Sequence, residues 1–204
     1  MTLTRERSAL MVVDMQNGFL GDEGSMARIG LPVADLRSKA LPGTLALLEA
    51  ARKAGVPVIF TRYVYMADYR DGGLVPHVLI PAMKEQQSLT HGSWDAEIVS
   101  ELAPAEGELV IDKSRPSAFY GTQLEPLLTS LDVRNLVLAG VTTNVCVETT
   151  ARDAGQRDYH VHVVGDASAE WDDAKHQHAL DVIGFIFGWV NTVDEVLEGW
   201  QVER

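Results

Sequence analysis

The only cysteine of this chain, Cys146, follows an apolar run and a short polar stretch, a setting that suggests a reactive thiol. The apolar run beginning at Leu136 ends near Gly140, and a helix-compatible segment begins at Asn144. This spacing predicts a thiol in the first turn of a helix, just beyond the carboxyl end of a strand. Unpaired N–H groups and the helix dipole would stabilise a thiolate there. A small buried hydrophobe is the alternative, because free cysteines are usually buried.

Asp14 and Lys113 occupy comparable positions, each at the end of an apolar run. Asp14 follows residues 9–13, and Lys113 follows residues 108–112. Ligands of open parallel sheets bind beyond the carboxyl ends of the strands, so we expect both side chains to lie near Cys146. A base, a cation and a nucleophile form the set that thiol chemistry needs, because the thiol must lose its proton and the resulting charge must be stabilised. Taken singly, Asp14 could cap a turn and Lys113 could be a solvated strand end.

The elements that would position these side chains alternate between buried strands and helices. Strands are predicted at residues 9–15, 56–62, 108–112, 135–141 and 160–164, with a possible short sixth strand at 189–191. Helices are predicted at residues 42–54, 122–131, 144–155, 172–187 and 193–198. Apolar strands joined by right-handed helical crossovers indicate a mainly parallel, five- or six-stranded sheet covered on both faces. The predicted fold is a Rossmann-like three-layer α/β/α sandwich forming one domain over residues 1–204.

Residues 63–92 interrupt this alternation and show no sustained period. They combine tyrosines with two glycines in tandem, two prolines and two histidines. A loop of this length within a compact domain is usually an active-site lid or an oligomer contact. Its apolar content argues against disorder, so we expect an ordered excursion over the site.

Composition and charge exclude several classes of function for this chain. The net charge of −12 argues against nucleic acid or an anionic membrane as a partner. A single cysteine excludes an intrachain disulfide framework and a CxxC zinc motif. The first residues carry charges without the apolar core of a signal peptide, and no apolar stretch approaches membrane-spanning length. These features predict a reducing cytoplasmic setting.

Three motifs, in this order along the chain, resemble the isochorismatase-like cysteine hydrolase family. They read Val13-Asp14-Met15-Gln16-Asn17-Gly-Phe19, Asp112-Lys113 followed by Ser117-Ala118-Phe119, and Gly140-Val-Thr-Thr-Asn-Val-Cys146-Val. The resemblance implies a catalytic triad of Asp14, Lys113 and Cys146. It also implies a cis peptide bond between Val141 and Thr142, and an oxyanion hole formed by the backbone N–H groups of Thr142 and Cys146.

Within that family, residues 92–98 and 143–150 are similar to the ureidoacrylate and biuret amidohydrolase branch. Nicotinamidases carry an Asp-x-His metal motif after the second strand, and residues 61–69 lack it. The resemblance therefore implies neither a metal nor another cofactor, and it disfavours nicotinamide as the substrate. Isochorismatases proper cleave a vinyl ether without requiring the cysteine, so Cys146 favours amide chemistry.

Two arginines near the expected site could bind an anionic substrate. Arg62 and Arg115 are equal candidates to bind a carboxylate or carbamoyl oxygen through a planar guanidinium, and a surface ion pair is the alternative role. Asn17, Phe19 and Tyr120 are predicted to line the pocket.

The resulting hypothesis is a cysteine-dependent amidohydrolase that cleaves the C–N bond of a small amide, ureido or carbamoyl compound through a thioester. An isochorismatase-type vinyl-ether hydrolase and a catalytically silent binding member of the fold are the alternatives. Large apolar residues between Trp171 and Trp189, including Ile183 and Phe185, exceed what one helix face can bury. We therefore expect a homodimer or homotetramer whose other partner is a small amide or ureido molecule.

Overall fold

The computed structural model describes residues 3–202, and its centre is a six-stranded sheet in which all strands run parallel. The strands are β1 (Ser8–Val13), β2 (Val58–Tyr63), β3 (Leu109–Lys113), β4 (Asn135–Val141), β5 (His160–Ala169) and β6 (Trp189–Asn191). Their order across the sheet is β3-β2-β1-β4-β5-β6. Every residue of β1 and β4 is buried, which requires cover on both faces of the sheet. The prediction of an α/β fold with a parallel sheet is confirmed, with six strands.

Helices cover this sheet. The α-helices are α1 (Asn17–Leu20), α2 (Ser25–Arg28), α3 (Val33–Ala54), α4 (Pro81–Glu85), α5 (Leu124–Ser130), α6 (Glu148–Gly155), α7 (Asp173–Val182) and α8 (Val193–Gly199). Short π-helical turns lie at Val75–Leu79, Thr143–Val147 and Ile183–Phe187, and 3₁₀ turns lie at Trp94–Ala96 and Ser100–Leu102. Among the described residues, no helix combines the length and apolarity that a membrane crossing requires.

The longest helix, α3, begins at Val33 rather than at Pro42, where the sequence pattern predicted its start. Proline is typical of a first helical turn because it lacks a backbone donor. Here Pro42 lies inside the helix, at a point where the neighbouring Gly43 and Thr44 pack against β5. A Cβ at Gly43 would lie only 2.6 Å from the Asp166 carbonyl oxygen, which shows how closely the two elements approach.

Strand β5 continues to Ala169, beyond the predicted end at residue 164. Its pairing with β4 shifts between Leu138 and Gly140, so the strand carries a bulge. The Gly-Asp pair at residues 165–166 is typical of turns, and for that reason the sequence pattern concealed the second half of the strand.

The segment of residues 63–92 is ordered, as predicted. Tyr65 and Tyr69 are buried within it, with ring centroids 5.2 Å apart. The Tyr69 hydroxyl donates a hydrogen bond to the Ser88 carbonyl at 2.7 Å. The same segment leaves Leu74 and Leu79 largely exposed, so it presents apolar surface to solvent as well as to the core.

Candidate active site

The carboxyl ends of three strands bring Asp14, Lys113 and Cys146 together. Lys113 Nζ lies 2.6 Å from Asp14 Oδ2 and 3.4 Å from Cys146 Sγ. The side chains of Asp14 and Lys113 are wholly inaccessible to solvent, and Cys146 is buried as well. The cluster lies where the strand order reverses between β1 and β4, which is the usual ligand crevice of an open parallel sheet. The sequence-based expectation that these three residues meet agrees with this geometry.

The ammonium group of Lys113 has three acceptors. Besides Asp14 Oδ2 and Cys146 Sγ, Nζ donates a hydrogen bond to the Arg115 carbonyl at 3.2 Å. The Nζ atom also lies 4.4 Å from the centre of the Tyr63 ring, a favourable position for a cation. All the protons of this buried cation are therefore engaged, and its charge is shared between a carboxylate and a sulfur atom.

Neighbouring polar groups fix the Asp14 carboxylate. Thr61 Oγ1 donates to Asp14 Oδ1 at 2.7 Å. The Gln16 amide donates to the Tyr63 and Ala96 carbonyls at 3.0 Å each and accepts the Tyr63 N–H at 2.6 Å, so it ties the end of β1 to β2. Sequence reasoning missed the roles of Thr61 and Gln16. The available signal was a polar residue inside or beside a buried strand, since buried polar groups need partners.

Electrostatics favours a protonated thiol in the resting site. Burial raises the pKa of Cys146; the Lys113 ammonium opposes this rise, and the Asp14 carboxylate adds to it. For Lys113, burial alone would lower the pKa, but Asp14 and Cys146 raise it above its ordinary value. The expectation of a stabilised thiolate stays a prediction, because burial of the sulfur opposes it and the Lys113 ammonium supports it. The neighbouring ion pair carries little net charge to offset the desolvation of a sulfur anion.

The turn that presents Cys146 begins at a cis peptide bond between Val141 and Thr142, as the family resemblance implied. The Thr142 carbonyl accepts the N–H groups of Val145 and Val147 at 3.2 Å each, which closes the π-helical turn around the cysteine. This turn then continues into α6. Cys146 therefore lies in the first turn of a helical segment, as its spacing predicted.

Two residues distant in sequence support this turn. Glu170, buried just after β5, accepts the Asn144 N–H through Oε2 at 3.3 Å. On α7, His176 Nδ1 lies 2.8 Å from Thr143 Oγ1. Neither contact was predicted, because the sequence pattern gives no information on which residues α7 meets.

A cavity of about 480 Å³ opens beside Lys113. It is lined by Val64, Tyr65, Met66, Asp71, His91, Asp112, Lys113, Ser114, Arg115, Tyr120 and Gly121. Arg115 and Tyr120 thus lie where the pocket was expected, and the segment of residues 63–92 supplies part of the wall. Within residues 3–202, no cluster of three or more His, Cys, Asp or Glu side chains is arranged to bind a metal ion.

The other candidate pocket residues do not line this cavity. Arg62 forms a two-pronged ion pair with Asp112 at 2.7 and 2.9 Å. Side chains alternate along a strand, so Arg62 lies on the opposite sheet face from Thr61, which contacts Asp14. The Asn17 amide donates to the Trp94 carbonyl at 2.9 Å and borders a separate cleft.

Phe19 is buried, and its ring stacks on Trp171 with centroids 6.4 Å apart. Phe119, which the motif also contains, belongs to the hydrophobic core. Arg62 is thus engaged with Asp112, and its expected role in substrate binding stays a prediction. The expected pocket roles of Asn17 and Phe19 also stay predictions.

Comparison with known proteins gives the affiliation of this site. The isochorismatase domain matches residues 8–195, which is most of the chain. The chain belongs to the isochorismatase family. Among curated relatives of this isochorismatase-family protein, the ureidoacrylate amidohydrolase RutB of Pseudomonas savastanoi pv. phaseolicola (strain 1448A / Race 6) is 35% identical over 200 residues. That match covers 92% of this chain and 81% of the relative.

Solved structures agree with this affiliation. A cysteine hydrolase from Pseudomonas syringae pv. phaseolicola 1448A superposes with a TM-score of 0.89 at 30% identity, covering 98% of this chain and 95% of that one. The N-carbamoylsarcosine amidase from Thermoplasma acidophilum superposes with a TM-score of 0.73 at 28% identity, covering 92% and 96%. This isochorismatase-family protein is accordingly an enzyme, a hydrolase of carbon–nitrogen bonds.

Proposed function

We propose that the protein is a cysteine-dependent amidohydrolase that cleaves the C–N bond of a small amide, ureido or carbamoyl compound through a thioester. The observation that carries the proposal is the position of Lys113 Nζ, within reach of both Asp14 Oδ2 and Cys146 Sγ in a buried site. A carboxylate, a cation and a thiol lie at contact distance there. A proton can therefore pass from the thiol to the carboxylate without the help of solvent.

The reaction follows from this arrangement. Asp14 takes the Sγ proton of Cys146, and the sulfur attacks the substrate carbonyl carbon. The C–N bond then breaks as Asp14 returns the proton to the departing nitrogen, leaving an acyl or carbamoyl group on sulfur. Water, deprotonated by Asp14, cleaves the thioester and restores the thiol.

Two groups stabilise the charges that develop in this sequence. Lys113 neutralises Asp14 when Asp14 is ionised and the thiolate when the proton has moved, because it contacts both. The backbone N–H groups of Thr142 and Cys146 would receive the carbonyl oxygen as it becomes an oxyanion. Burial raises the pKa of the Cys146 thiol, so the proposed mechanism uses a base beside it, and Asp14 is the carboxylate of this cluster.

For the substrate we propose a ureidoacrylate-like compound, with biuret-like compounds and N-carbamoyl amino acids as the alternatives. The support is the identity shared with ureidoacrylate amidohydrolases over most of the chain. The test is an ammonia-release screen over 3-ureidoacrylate, biuret, maleamate, nicotinamide and simple amides. Preferred turnover of nicotinamide, abolished by a chelator, would contradict both the substrate class and the absence of a metal requirement.

The thioester is tested separately. Acid quenching during turnover of 3-ureidoacrylate, followed by peptide mass spectrometry, should show a mass increase on Cys146 that disappears when the substrate is exhausted. Turnover of vinyl-ether substrates alone, with no ammonia released from any amide, would favour the isochorismatase-type reaction. A folded protein with no turnover of any of these compounds would favour a silent binding member.

We also propose a homodimer or homotetramer in a reducing cytoplasm. Phe185 and Ile186 are 85% and 67% exposed, and Trp189 is partly exposed beside them, whereas Ile183, counted with them from the sequence, is buried. The cytoplasmic setting is supported by the free thiol of Cys146, which the mechanism requires to stay reduced.

A further inference from the structure

Arg115 is the one predicted pocket residue whose charged group faces the cavity with hydrogen-bonding capacity left over. Its Nη1 donates to the Asp71 and Ser114 carbonyls at 2.6 and 2.7 Å, with a longer contact to Ser114 Oγ at 3.4 Å. Within residues 3–202, its Nε and Nη2 make no hydrogen bond, and its guanidinium forms no ion pair with a carboxylate. One edge of a planar fork is therefore available, and that edge matches the two oxygens of a carboxylate.

We infer that Arg115 determines specificity by binding the carboxylate of an anionic ureido substrate. The inference rests on the proposed function and names the substrate class for that site. It places the carboxylate at the Nε–Nη2 edge of Arg115 and the scissile carbonyl near Cys146. Lys113 connects the two residues, since its Nζ contacts Cys146 Sγ and the main-chain carbonyl of Arg115, and Lys113 and Arg115 both line the cavity.

The other charges near the cavity are already neutralised or engaged. Lys113 pairs with Asp14, and Arg62 pairs with Asp112. The Asp71 carboxylate accepts the Met66 N–H at 3.0 Å. Arg115 is thus the cation of this cavity wall without an anionic partner among the described residues.

The chain keeps the guanidinium in place from two sides. Carbonyl oxygens of Asp71 and Ser114 hold Nη1, as described above. On the other side, a Cβ at Gly73 would lie 2.6 Å from Nη2, so only a residue without a side chain allows the guanidinium this position. Gly73 also has a φ of +63°, which favours glycine. The arginine is therefore preorganised before the ligand arrives, which reduces the entropic cost of binding.

The acidic residues of the same wall limit the kind of anion. Asp71 and Asp112 both border the cavity, and a multiply charged phosphate would lie near their carboxylates. A singly charged, planar carboxylate matches the two available donors and brings less repulsion. The observations therefore favour a ureido acid over a phosphorylated or neutral amide.

The experiment compares Arg115→Gln and Arg115→Lys with Arg52→Gln, an arginine away from the cavity whose charge is paired with Glu108. Each variant is assayed for ammonia release from 3-ureidoacrylate and from its neutral methyl ester. We expect Arg115→Gln to raise KM for the acid by about 10- to 100-fold, on the scale of charged hydrogen bonds, with kcat changed only slightly. KM for the ester should stay close to the wild-type value. Arg115→Lys should lie between these limits, and Arg52→Gln should keep the preference for the acid.

A binding measurement separates this inference from the proposed reaction. Calorimetric titration of 3-ureidoacrylate into Cys146→Ala, with and without Arg115→Gln, needs no turnover. Loss of binding on adding Arg115→Gln supports the inference even if the thioester mechanism fails. Equal binding by both proteins, or no binding by Cys146→Ala itself, would overturn it. An equal rise in KM for the acid and the ester in Arg115→Gln would overturn it as well.

Discussion

Asp14 and Lys113 form an ion pair that is wholly inaccessible to solvent, so each charge depends on the other for its stability. We expect Asp14→Asn to lower the free energy of unfolding by about 3 kcal/mol, because it leaves the Lys113 cation buried without its counter-charge. The same change removes the base and should lower the rate of amide hydrolysis by roughly 10²-fold or more. Urea unfolding and ammonia release measure the two effects.

The double variant Asp14→Asn with Lys113→Met is the matched control. Removing both charges should recover most of the lost stability, because two neutral side chains of similar volume avoid the cost of desolvating a charge. Activity should not return. A double variant as unstable as Asp14→Asn alone would show that the ion pair is not the source of the loss.

At the scale of elements, Gly140 allows β4 to lie against β1 next to the site. A Cβ at this position would lie 2.1 Å from the Val13 carbonyl oxygen, and Gly140 has a φ of +127°. Both strands are buried, so neither can shift to relieve the contact. We expect Gly140→Ala to lower the free energy of unfolding by about 3 kcal/mol and to reduce activity by displacing Asp14.

Gly184→Ala is the control for that substitution. Gly184 lies in the π-helical turn Ile183–Phe187, where the nearest atom to an added Cβ is 3.5 Å away. Stability should therefore change by less than about 1 kcal/mol. Urea unfolding gives the free energy of unfolding of both variants. Equal losses in the two variants would mean that the close approach of the strands at Gly140 does not govern stability.

The sequence was informative about the elements because strand ends in a parallel sheet meet at one edge. Apolar runs ending at Asp14, Lys113 and Cys146 were sufficient to predict that these side chains come together. Boundaries were less accurate, since Pro42 and the Gly-Asp pair at 165–166 carry the local signals of helix starts and turns. Tertiary packing overrode both signals.

The pocket was harder to predict, for a different physical reason. Arg62 lies near the end of β2 and Arg115 follows β3, and only the strand register shows that Arg62 points to the other face and pairs with Asp112. The contacts of Glu170 and His176 with the cysteine turn join residues far apart in sequence. A single sequence contains no signal for such pairings.

At the scale of the whole molecule, a buried histidine links stability to pH. His162 Nδ1 lies 2.9 Å from Asn191 Oδ1, and its Nε2 has no hydrogen-bond partner among the described residues. Burial lowers the pKa of His162, and it lowers that of His176 as well. The unfolded chain therefore binds more protons once the pH falls below about 6.5, and the free energy of unfolding decreases there.

We expect the urea midpoint to fall between pH 7.5 and pH 5.5, and His162→Gln to weaken that fall. His178→Gln, which changes an exposed histidine, is the control and should follow the wild type. A wild-type midpoint that rises toward pH 5.5, or a His162→Gln protein with the full wild-type dependence, would contradict this assignment.

The proposed assembly places Phe185 and Ile186 in a contact between copies, since side chains this exposed and apolar are unfavourable on a free surface. We expect Phe185→Asp to shift the molar mass measured by light scattering toward that of one chain. The control variant His178→Gln, which changes an exposed residue, should leave the molar mass unchanged. A wild-type protein that is already monomeric at micromolar concentration would contradict the proposal.

A covalent bond between Cys146 and the amide substrate would make the hydrolysis rate depend on the sulfur atom, and the rate of the Cys146→Ala variant measures that dependence. Ammonia release from the best substrate of the screen is measured for folded wild-type and variant proteins at equal concentration. We expect a loss of at least about 10³-fold, as for other covalent nucleophiles. A variant that hydrolyses the amide at close to the wild-type rate would contradict it.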